Sequence, residues 1–394
     1  SMARSPERAV ALMEAVWQPA VARVREEVAD MQAIADAEGT GIRIEPWDYR
    51  FYAEKVRQAK HDLDEGEIMP YLQLEKLREG MFFTAGELFG LRFAPVDPAS
   101  VPVYHADVRG WEVTDRDGRI VGLFFFDPYA RKGKQSGAWM SGYRSQERFD
   151  GAILPIVSNN CNYAKPAPGE PILISWDDAT TLFHEFGHAL HGLCSSVSYP
   201  SLSGTNVARD YVEFPSQLLE HWLATPEVLD RFAIHAHTGR PMPRALVEKI
   251  ERAAAFNPGY RTVEFLASAL VDMKLHLAGE TPIDPAAFER ETHAAIGMPA
   301  EIVMRHRTPH FSHVFASDGY AAAYYSYLWA DTITADAWEA FTEAGGPWDK
   351  GVADRLLRNV FAVGNTVDPA DGYRSFRGRD AGIDALMRKR GFVT

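Results

Sequence analysis

Cysteine and long hydrophobic stretches are both scarce in this sequence of 394 residues. The only cysteines are Cys161 and Cys194, which excludes a disulfide-stapled extracellular scaffold and fits a reducing compartment. No apolar run approaches the roughly 20 residues that a membrane-spanning helix needs. Residues 1–4 also lack the apolar core of a signal peptide. We therefore expect a cytoplasmic location and no membrane partner.

Positive charge is also in deficit. The sequence has 41 Lys and Arg residues against 54 Asp and Glu residues, a formal net charge of −13. Nucleic acids and anionic membranes bind clustered basic side chains, so we expect no nucleic-acid partner. Ser1 in front of Met2 resembles the remnant of a purification tag, and we expect the natural chain to continue upstream.

Hydrophobic periodicity predicts a mainly α-helical protein. Helical spacing dominates residues 1–95 and returns from residue 177 to the end at 394. Within the first region, three stretches show it most clearly: 9–37, 47–61 and 70–89. The sequence has no internal repeat and no obvious linker, so we expect one structural region over 1–394.

A change of period predicts a small antiparallel β-sheet at about residues 100–176. Apolar residues alternate at 101–114 and 120–126, and the turn signal "DRDG" between them predicts a hairpin. The segments "GAILPIVSNN" and "PILISW" are candidates for two further strands. The predicted sheet therefore lies directly before the second helical region.

The segment "TLFHEFGHALHGL", residues 181–193, opens the second helical region. Ser175 and Asp178 in front of it form a capping-box pattern, which predicts the start of a helix. At about 100° per residue, this helix has two distinct flanks. The apolar flank carries Leu182, Phe183, Phe186, Ala189, Leu190 and Leu193, and the opposite flank carries His184, His188 and His191.

The histidine flank suits a metal ion better than it suits solvent. Lys and Arg, which are common on solvated helix faces, do not occur between Thr180 and Val207. His184 and His188 are four residues apart, which brings both imidazoles within reach of one tetrahedral zinc ion. Glu185 lies beside that pair and can serve as a general base towards water. The alternative is a structural histidine cluster without catalysis.

A catalytic zinc ion needs a third protein ligand and one open position. The extended pattern HExxHxxGxxH would place glycine at 191 and histidine at 194, where this sequence has His191 and Cys194. That class of peptidase is excluded, and a carboxylate on a later helix is the remaining option. Gly187, a small residue on the histidine helix, leaves room for a second segment of chain to pack closely. The segment "VARDYVEFPSQLLEHWL" offers three carboxylates: Asp210, Glu213 and Glu220.

Two segments resemble a known family closely. "FHEFGHALHG", followed by "YPSLSGTNVARDYVEFPSQLLEHW", is similar to the zinc oligopeptidases of the thimet oligopeptidase family, the M3 peptidases. The resemblance implies a zincin-like catalytic domain with one Zn²⁺ ion, and it makes Glu213 the third ligand beside His184 and His188. Glu220 is then either a supporting carboxylate or a surface charge, and we favour the surface charge. His191 is expected to hydrogen-bond near the site or to line the helix end.

The resemblance extends over at least residues 120–392. "LFFFDPYARKGKQSGAWM" and "NNCNYAKP" precede the histidine helix, and "RHRTPHFSHVFASDGYAAAYYSYLWAD" follows it. Among the branches of the family, bacterial peptidyl-dipeptidases and oligopeptidase A are the most similar. Family members are much longer upstream, so the resemblance implies that 1–394 is the C-terminal catalytic region and that the N-terminal lobe of the family is absent.

Tyr320, Tyr324 and Tyr327 are spaced at i, i+4 and i+7, which places them on one face of a predicted helix. Taken alone, this pattern indicates a buried aromatic stripe. The resemblance instead implies that Tyr320 and Tyr327 are catalytic and that Tyr324 binds substrate. It implies a catalytic role for His313 as well. Two other histidines of the same segment compete for that role: His306 and His310.

The resemblance implies hydrolysis of short unstructured peptides, and we expect a monomer. The favoured function is that of a peptidyl-dipeptidase, which releases C-terminal dipeptides, and the alternative among enzymes is an endo-acting oligopeptidase. An inactive zinc-binding scaffold domain is the alternative from another class, although Glu185 argues against it because a structural site needs no base. Dipeptide release requires a donor for the substrate carboxylate. We assign Arg307 to substrate binding, with Arg374 and Arg377 as rivals.

Overall fold

The computed structural model describes residues 1–61, 65–167, 169–254 and 256–393. The chain divides into two compact units, each built from separate segments. The helical unit contains Ser1–Asp64, Glu248–Thr332 and Ile383–Thr394, and the sheet unit contains Glu65–Val247 and Ile333–Gly382. None of the described helices combines the length and the hydropathy that a membrane crossing requires.

Helices dominate the described residues, as predicted. The helices expected at 9–37, 47–61 and 70–89 are confirmed to within a few residues. The α-helices are, in chain order, α1 (Pro6–Ala37), α2 (Tyr49–His61), α3 (Glu65–Ile68), α4 (Leu74–Phe89), α5 (Trp176–Leu193), α6 (Arg209–Leu223), α7 (Pro226–Phe232), α8 (Arg244–Ala254), α9 (Pro258–Leu277), α10 (Pro285–Ile296), α11 (Ser312–Phe315), α12 (Ser326–Glu343), α13 (Lys350–Leu356), α14 (Pro369–Arg377) and α15 (Asp384–Lys389). Short 3₁₀ turns occur at Met69–Tyr71, Pro200–Leu202 and Thr308–His310, and a π-helical turn at Leu357–Phe361 follows α13.

In the helical unit, one buried carboxylate joins three helices. Glu27 on α1 is only 8% exposed. Its carboxylate accepts hydrogen bonds from the backbone N–H groups of Gly259 (2.8 Å) and Tyr260 (2.9 Å) in the first turn of α9, where helix amides lack partners of their own. The hydroxyl of Tyr49 on α2 donates to the same carboxylate at 3.1 Å. Glu27 therefore fixes the start of α9 against α1 and α2.

The sheet unit contains a five-stranded sheet. Its strands are β1 (Arg92–Pro95), β2 (Arg109–Thr114), β3 (Ile120–Tyr129), β4 (Trp139–Arg144) and β5 (Ile156–Tyr163). The strand order is β1-β2-β3-β5-β4. β3 and β5 run parallel, whereas the other neighbouring strands are antiparallel. The predicted small sheet is confirmed, but it is mixed and not purely antiparallel. β5 inserts between β3 and the edge strand β4, and alternation along a strand does not specify its neighbours.

The hairpin between β2 and β3 is confirmed. Asp115 at the start of "DRDG" accepts hydrogen bonds through its Oδ1 from the N–H groups of Asp117 and Arg119, both at 2.9 Å. Gly118 has a φ of +79°, a conformation that glycine adopts without steric cost. The side chain of Asp115 and the freedom of Gly118 together close the turn.

The predicted limits of the sheet were partly wrong. β2 begins eight residues later than predicted, because 101–108 form turns and bends. β1 lies in the region predicted to be helical, and β4 was not predicted because its residues are exposed or half-buried without alternation. The segment "PILISW" contributes only an isolated bridge between Gln73 and Leu173, so its strand prediction was also wrong.

Helix α5 begins where the capping pattern predicts. The Ser175 hydroxyl accepts a hydrogen bond from the N–H of Asp178 at 3.0 Å, and the Asp178 carboxylate accepts one from the N–H of Ser175 at 3.3 Å. The reciprocal pair satisfies two N–H groups at the helix start. All six residues of the predicted apolar flank are buried, at most 2% exposed. The opposite flank faces α6 and carries the histidines.

Candidate metal centre

Three predicted ligands converge between α5 and α6. The Nε2 atoms of His184 and His188 each lie 3.2 Å from the same carboxylate oxygen, Oε2 of Glu213. The two imidazole rings are nearly perpendicular, with centroids 5.0 Å apart. Among the described His, Cys, Asp and Glu side chains, these three form the group whose donor atoms could hold a metal ion. Of the other two candidate carboxylates, Asp210 is fully buried on α6 and lies outside this group, as does Glu220.

The spacing of the donor atoms fits a zinc ion. Zinc binds imidazole nitrogen and carboxylate oxygen at about 2.0–2.1 Å, so tetrahedral ligand atoms lie roughly 3.3 Å apart. The two observed nitrogen–oxygen distances of 3.2 Å agree with this value. Two nitrogens and one oxygen form the mixed donor set that zinc prefers, and three protein donors leave one tetrahedral position open.

The electrostatics of the cluster favour a bound cation. Burial favours the neutral form of Glu213, but hydrogen bonds and charge from the two histidines outweigh it and hold the pKa of Glu213 well below its usual range. Burial opposes protonation of His184, yet its hydrogen bonds to Glu213 and Glu220 raise its pKa well above the ordinary value. The carboxylates of Glu213 and Glu220 therefore favour a positive charge at His184. That charge is supplied either by a proton or by a metal ion.

Glu220 supports a predicted ligand instead of lying free on the surface. Its Oε1 is 2.7 Å from Nδ1 of His184. A carboxylate on the remote nitrogen of a metal-binding imidazole fixes the ring orientation and the tautomer, with Nδ1–H donating and Nε2 free to bind the ion. The surface-charge interpretation of Glu220 was wrong, because α6 turns both Glu213 and Glu220 towards α5.

The close approach of α6 to α5 depends on Gly187. A Cβ atom at this position would lie 2.6 Å from Cα of Ser216 and 2.9 Å from the carbonyl oxygen of Pro215, closer than van der Waals contact permits. Ser216 also orients the third ligand, because its hydroxyl lies 2.8 Å from the carbonyl oxygen of Glu213 and 3.3 Å from Oε2 of the same residue. The absence of a side chain at Gly187 therefore brings Glu213 within reach of the histidines.

Glu185 lies beside the cluster without being part of it. It is 7% exposed, and its Oε2 has no hydrogen-bond partner within the described residues. Burial raises the pKa of Glu185, which the nearby histidines partly oppose. The side-chain amide of Asn159 on β5 donates to the backbone carbonyl of Glu185 at 2.6 Å and ties this point of α5 to the sheet. A buried carboxylate with a free oxygen is suited to accept a proton.

Of the two roles predicted for His191, the structure supports the one at the helix end. It is completely buried, and no hydrogen-bond partner for either ring nitrogen occurs in the described part of the chain. Burial lowers the pKa of His191 to about 3, so the ring is neutral. It packs edge-on against Phe361, with centroids 5.8 Å apart. His191 therefore lines the buried end of α5, and the predicted hydrogen bond was wrong.

The three tyrosines lie close together in the helical unit. Their segment was predicted to be a helix, and that prediction was wrong. Residues 320–325 form turns, and α12 starts at Ser326. Ala322 has a φ of +54°, and a left-handed residue interrupts a right-handed helix. The rings of Tyr320 and Tyr327 nevertheless stack in parallel, with centroids 5.6 Å apart, and their hydroxyl oxygens are 3.1 Å apart. Tyr324 is 5.6 Å from the Tyr327 ring.

His313 belongs to the same group. Its Nε2 is 3.1 Å from the hydroxyl oxygen of Tyr327, and its ring centroid is 4.8 Å from that of Tyr320. Its competitor His306 stacks instead on Phe311. We call Tyr320, Tyr324, Tyr327 and His313 the tyrosine cluster.

Sequence models of known families identify the chain. The model of peptidase family M3 matches residues 1–392. This chain belongs to peptidase family M3. The dipeptidyl carboxypeptidases of Salmonella typhimurium and Escherichia coli are each 42% identical to it, and each match covers 99% of this chain and 57% of the relative. Oligopeptidase A of Escherichia coli is 34% identical, and the match covers 99% of this chain and 58% of the relative.

The M3 chain thus spans somewhat more than half the length of these curated relatives. The family identified from "FHEFGHALHG" and the segment around Glu213 is confirmed by the match over 1–392. Two contacts at the centre were missed by the sequence analysis. Ser216 could have been found, since it follows Glu213 by three residues on one helix, whereas the contact of Asn159 with α5 depends on sheet packing that no local pattern indicates.

The arginines considered for the substrate carboxylate are all paired. Nε of Arg307 lies 2.6 Å from the carboxylate of Glu289 in the helical unit. Two other arginines were considered, and both lie in the sheet unit. The guanidinium group of Arg374 binds the carboxylates of Asp371 and Asp380. The guanidinium group of Arg377 binds the carboxylates of Glu343 and Asp336. The assignment of Arg307 to substrate binding stays a prediction.

Substituting Gly187 by alanine should weaken metal binding. The added methyl group must push α6 and Glu213 away from α5, whereas the histidines keep their places. We expect the affinity for Zn²⁺ to fall roughly 10- to 100-fold, as when groups that orient metal ligands are lost. Competition with a chromophoric chelator measures this. Gly382→Ala is the matched control, since a Cβ there meets nothing within 4 Å. Unchanged affinity in Gly187→Ala would contradict the role of this contact.

Proposed function

We propose that this chain is the catalytic region of a zinc peptidase that hydrolyses short, unstructured peptides. The observation that carries the proposal is the convergence of His184, His188 and Glu213 on one point. Beside them lies the buried carboxylate of Glu185, whose Oε2 has no hydrogen-bond partner among the described residues. Membership of peptidase family M3 supports the same function. In this proposal, residues 1–394 form the zincin-like catalytic region and do not include the N-terminal lobe of the longer family members.

In this proposal His184, His188 and Glu213 hold one Zn²⁺ ion. The chemistry that zinc supplies when bound is Lewis acidity, which polarises a peptide carbonyl and makes water more acidic. The supporting carboxylate of Glu220 holds the His184 ring in the orientation that ligation needs. A structural zinc site is usually closed by four protein ligands, so three donors argue for catalysis and against an inactive scaffold.

Glu185 is the proposed general base and general acid. Its carboxylate accepts a proton from the attacking water and then delivers that proton to the nitrogen of the departing amine. Burial, which raises the pKa of Glu185, strengthens it as a base. The tyrosine cluster is proposed to hydrogen-bond the substrate, with the hydroxyl groups of Tyr320 and Tyr327 stabilising the developing negative charge on the carbonyl oxygen, assisted by His313.

Release of C-terminal dipeptides is the favoured specificity. Relatives named dipeptidyl carboxypeptidase are 42% identical to this chain, against 34% for oligopeptidase A, so endo-cleavage is the second candidate. Both cysteines are free thiols, which supports a reducing compartment, and a cytoplasmic location and a monomeric state complete the proposal. Arg307 remains the proposed partner of the substrate carboxylate, provided that it exchanges Glu289 for that ligand.

One assay tests the proposed function and separates its alternatives. A peptide of about eight residues is prepared in two forms, one with a free C-terminus and one with an amidated C-terminus. Each form is incubated with the zinc-loaded chain. We expect C-terminal dipeptides from the free form alone, because a carboxylate-binding site cannot hold an amide in the same way. Mass spectrometry of the products, with and without chelator, provides the measurement.

The products assign the function. Internal fragments from both forms of the peptide would replace the peptidyl-dipeptidase by the endo-acting oligopeptidase. If no product depends on zinc, the hydrolytic proposal fails for this chain, and the inactive zinc-binding domain becomes the better description.

The variant Glu185→Gln should abolish turnover without releasing zinc. An amide has nearly the same shape as the carboxylate but cannot accept and return a proton, so kcat should fall by about 10²- to 10⁴-fold, the contribution of general acid–base catalysis. Glu227→Gln removes the same charge from an exposed position on α7 and should leave kcat unchanged. Zinc content is measured on both proteins. Near-normal kcat in Glu185→Gln would refute the assigned role.

A further inference from the structure

One face of α9 supports the tyrosine cluster within the helical unit. Phe265 and Asp272 lie seven residues apart and His276 follows four residues later, so the three side chains share one face of the helix. The Phe265 ring packs against Tyr324 at a centroid distance of 5.1 Å and against Tyr327 at 6.4 Å. Aromatic contacts of this kind hold the tyrosine rings from one side.

Asp272 contacts the backbone of the tyrosine segment. The residue is 2% exposed. Its Oδ1 accepts a hydrogen bond from the N–H of Ala322 at 2.9 Å, and its Oδ2 accepts one from the N–H of Tyr324 at 3.0 Å. The imidazole of His276 lies 3.0 Å from the same Oδ1. A carboxylate is costly to bury, and here two backbone amides and an imidazole compensate for its lost hydration.

The turn held by Asp272 contains an uncommon backbone conformation. Ala322 has a φ of +54°, which residues with a Cβ adopt reluctantly and which glycine adopts freely. The N–H of Ala323 also donates to the carbonyl of Tyr320 at 3.0 Å. The two amides bound by Asp272 lie on either side of Ala323. The carboxylate therefore stabilises a conformation that the local sequence does not favour.

His276 extends this support to the segment that carries His313. Its ring stacks on Phe315 at a centroid distance of 6.0 Å and an angle of 17°. Phe315 and His313 belong to the same short helix, α11. The Asp272–His276 pair thus contacts both segments that contribute to the tyrosine cluster.

We propose that Asp272 is a positioning residue that fixes the turn at 320–324 and thereby sets where the hydroxyl groups of Tyr320 and Tyr327 point. The parallel stack of these two rings joins a residue at the start of the turn to one beyond its end. Release of the turn therefore separates the rings. The role of the two hydroxyl groups in substrate binding rests on the proposed function. The stabilisation of the turn by Asp272 can be tested without any substrate.

The isosteric variant Asp272→Asn tests the turn without a substrate. A side-chain amide keeps one acceptor oxygen and replaces the other by a donor, so one of the two backbone N–H groups loses its partner. We expect hydrogen–deuterium exchange of residues 318–326 to accelerate about 10-fold or more, while exchange of 181–193 in α5 stays unchanged. Mass spectrometry of the zinc-loaded 394-residue chain measures both segments.

Glu280→Gln is the matched control for this experiment. It removes the same charge from an exposed position just beyond α9 and should leave exchange as in the wild type. The wild-type chain alone provides a second test if Asp272→Asn does not fold, because the amides of Ala322 and Tyr324 should be protected although they lie in a turn. Unprotected amides in the wild type, or unaccelerated exchange in Asp272→Asn, would overturn the proposal.

Turnover distinguishes a positioning role from a purely structural one. Asp272→Asn should lower kcat/KM about 10-fold in the wild-type background but less than about 2-fold in Tyr327→Phe, because a missing hydroxyl cannot be misplaced further. Equal losses in both backgrounds would overturn the positioning role. If the wild-type chain hydrolyses no peptide, the proposed function fails, and the exchange experiment still decides whether Asp272 fixes the turn.

Discussion

The contact between Gly187 on α5 and Ser216 on α6 is the constraint on which the candidate site depends. His184 and His188 lie four residues apart on α5, so the geometry of that helix alone places them side by side. Glu213 belongs to α6 and reaches them only because α6 packs closely against α5. Only a residue without a side chain allows α6 to approach as closely as it does, since a Cβ would lie 2.6 Å from the Cα of Ser216. The site is therefore a consequence of backbone packing as much as of its ligands.

The negative charge of the carboxylates around His184 explains why this site favours a bound cation. A buried Glu213 oxygen lies between two imidazoles, and Glu220 adds a second carboxylate on the far side of His184. Two negative groups around neutral imidazoles are poorly compensated in a buried site unless a proton or a metal ion joins them. Glu185 differs from these carboxylates, because its Oε2 has no partner within the residues that the structure describes. In the proposed function, the residues thus separate into a cation-binding group and a proton acceptor.

Local patterns predicted the helices and the histidine flank, because a helix start and a buried face are determined by residues close in sequence. Ser175 capped α5 as expected, and the "DRDG" turn formed. The order of the strands, the contact of Glu220 with His184 and the left-handed Ala322 were not predictable in this way. Each depends on partners distant in the chain: β5 inserts beside β3, α6 faces α5, and Asp272 stabilises a turn that interrupts the expected tyrosine helix.

X-ray absorption spectroscopy of the zinc-loaded chain is the most direct test of the proposed ligands, because it counts the atoms around the ion. We predict a four-coordinate ion with two imidazole nitrogens and the remaining neighbours oxygen, all at about 2.0–2.1 Å. Glu213→Gln should weaken binding and change the oxygen shell, while both imidazoles remain. A sulfur neighbour at about 2.3 Å, a third imidazole, or a spectrum that Glu213→Gln leaves unchanged would contradict the proposed ligand set of His184, His188 and Glu213.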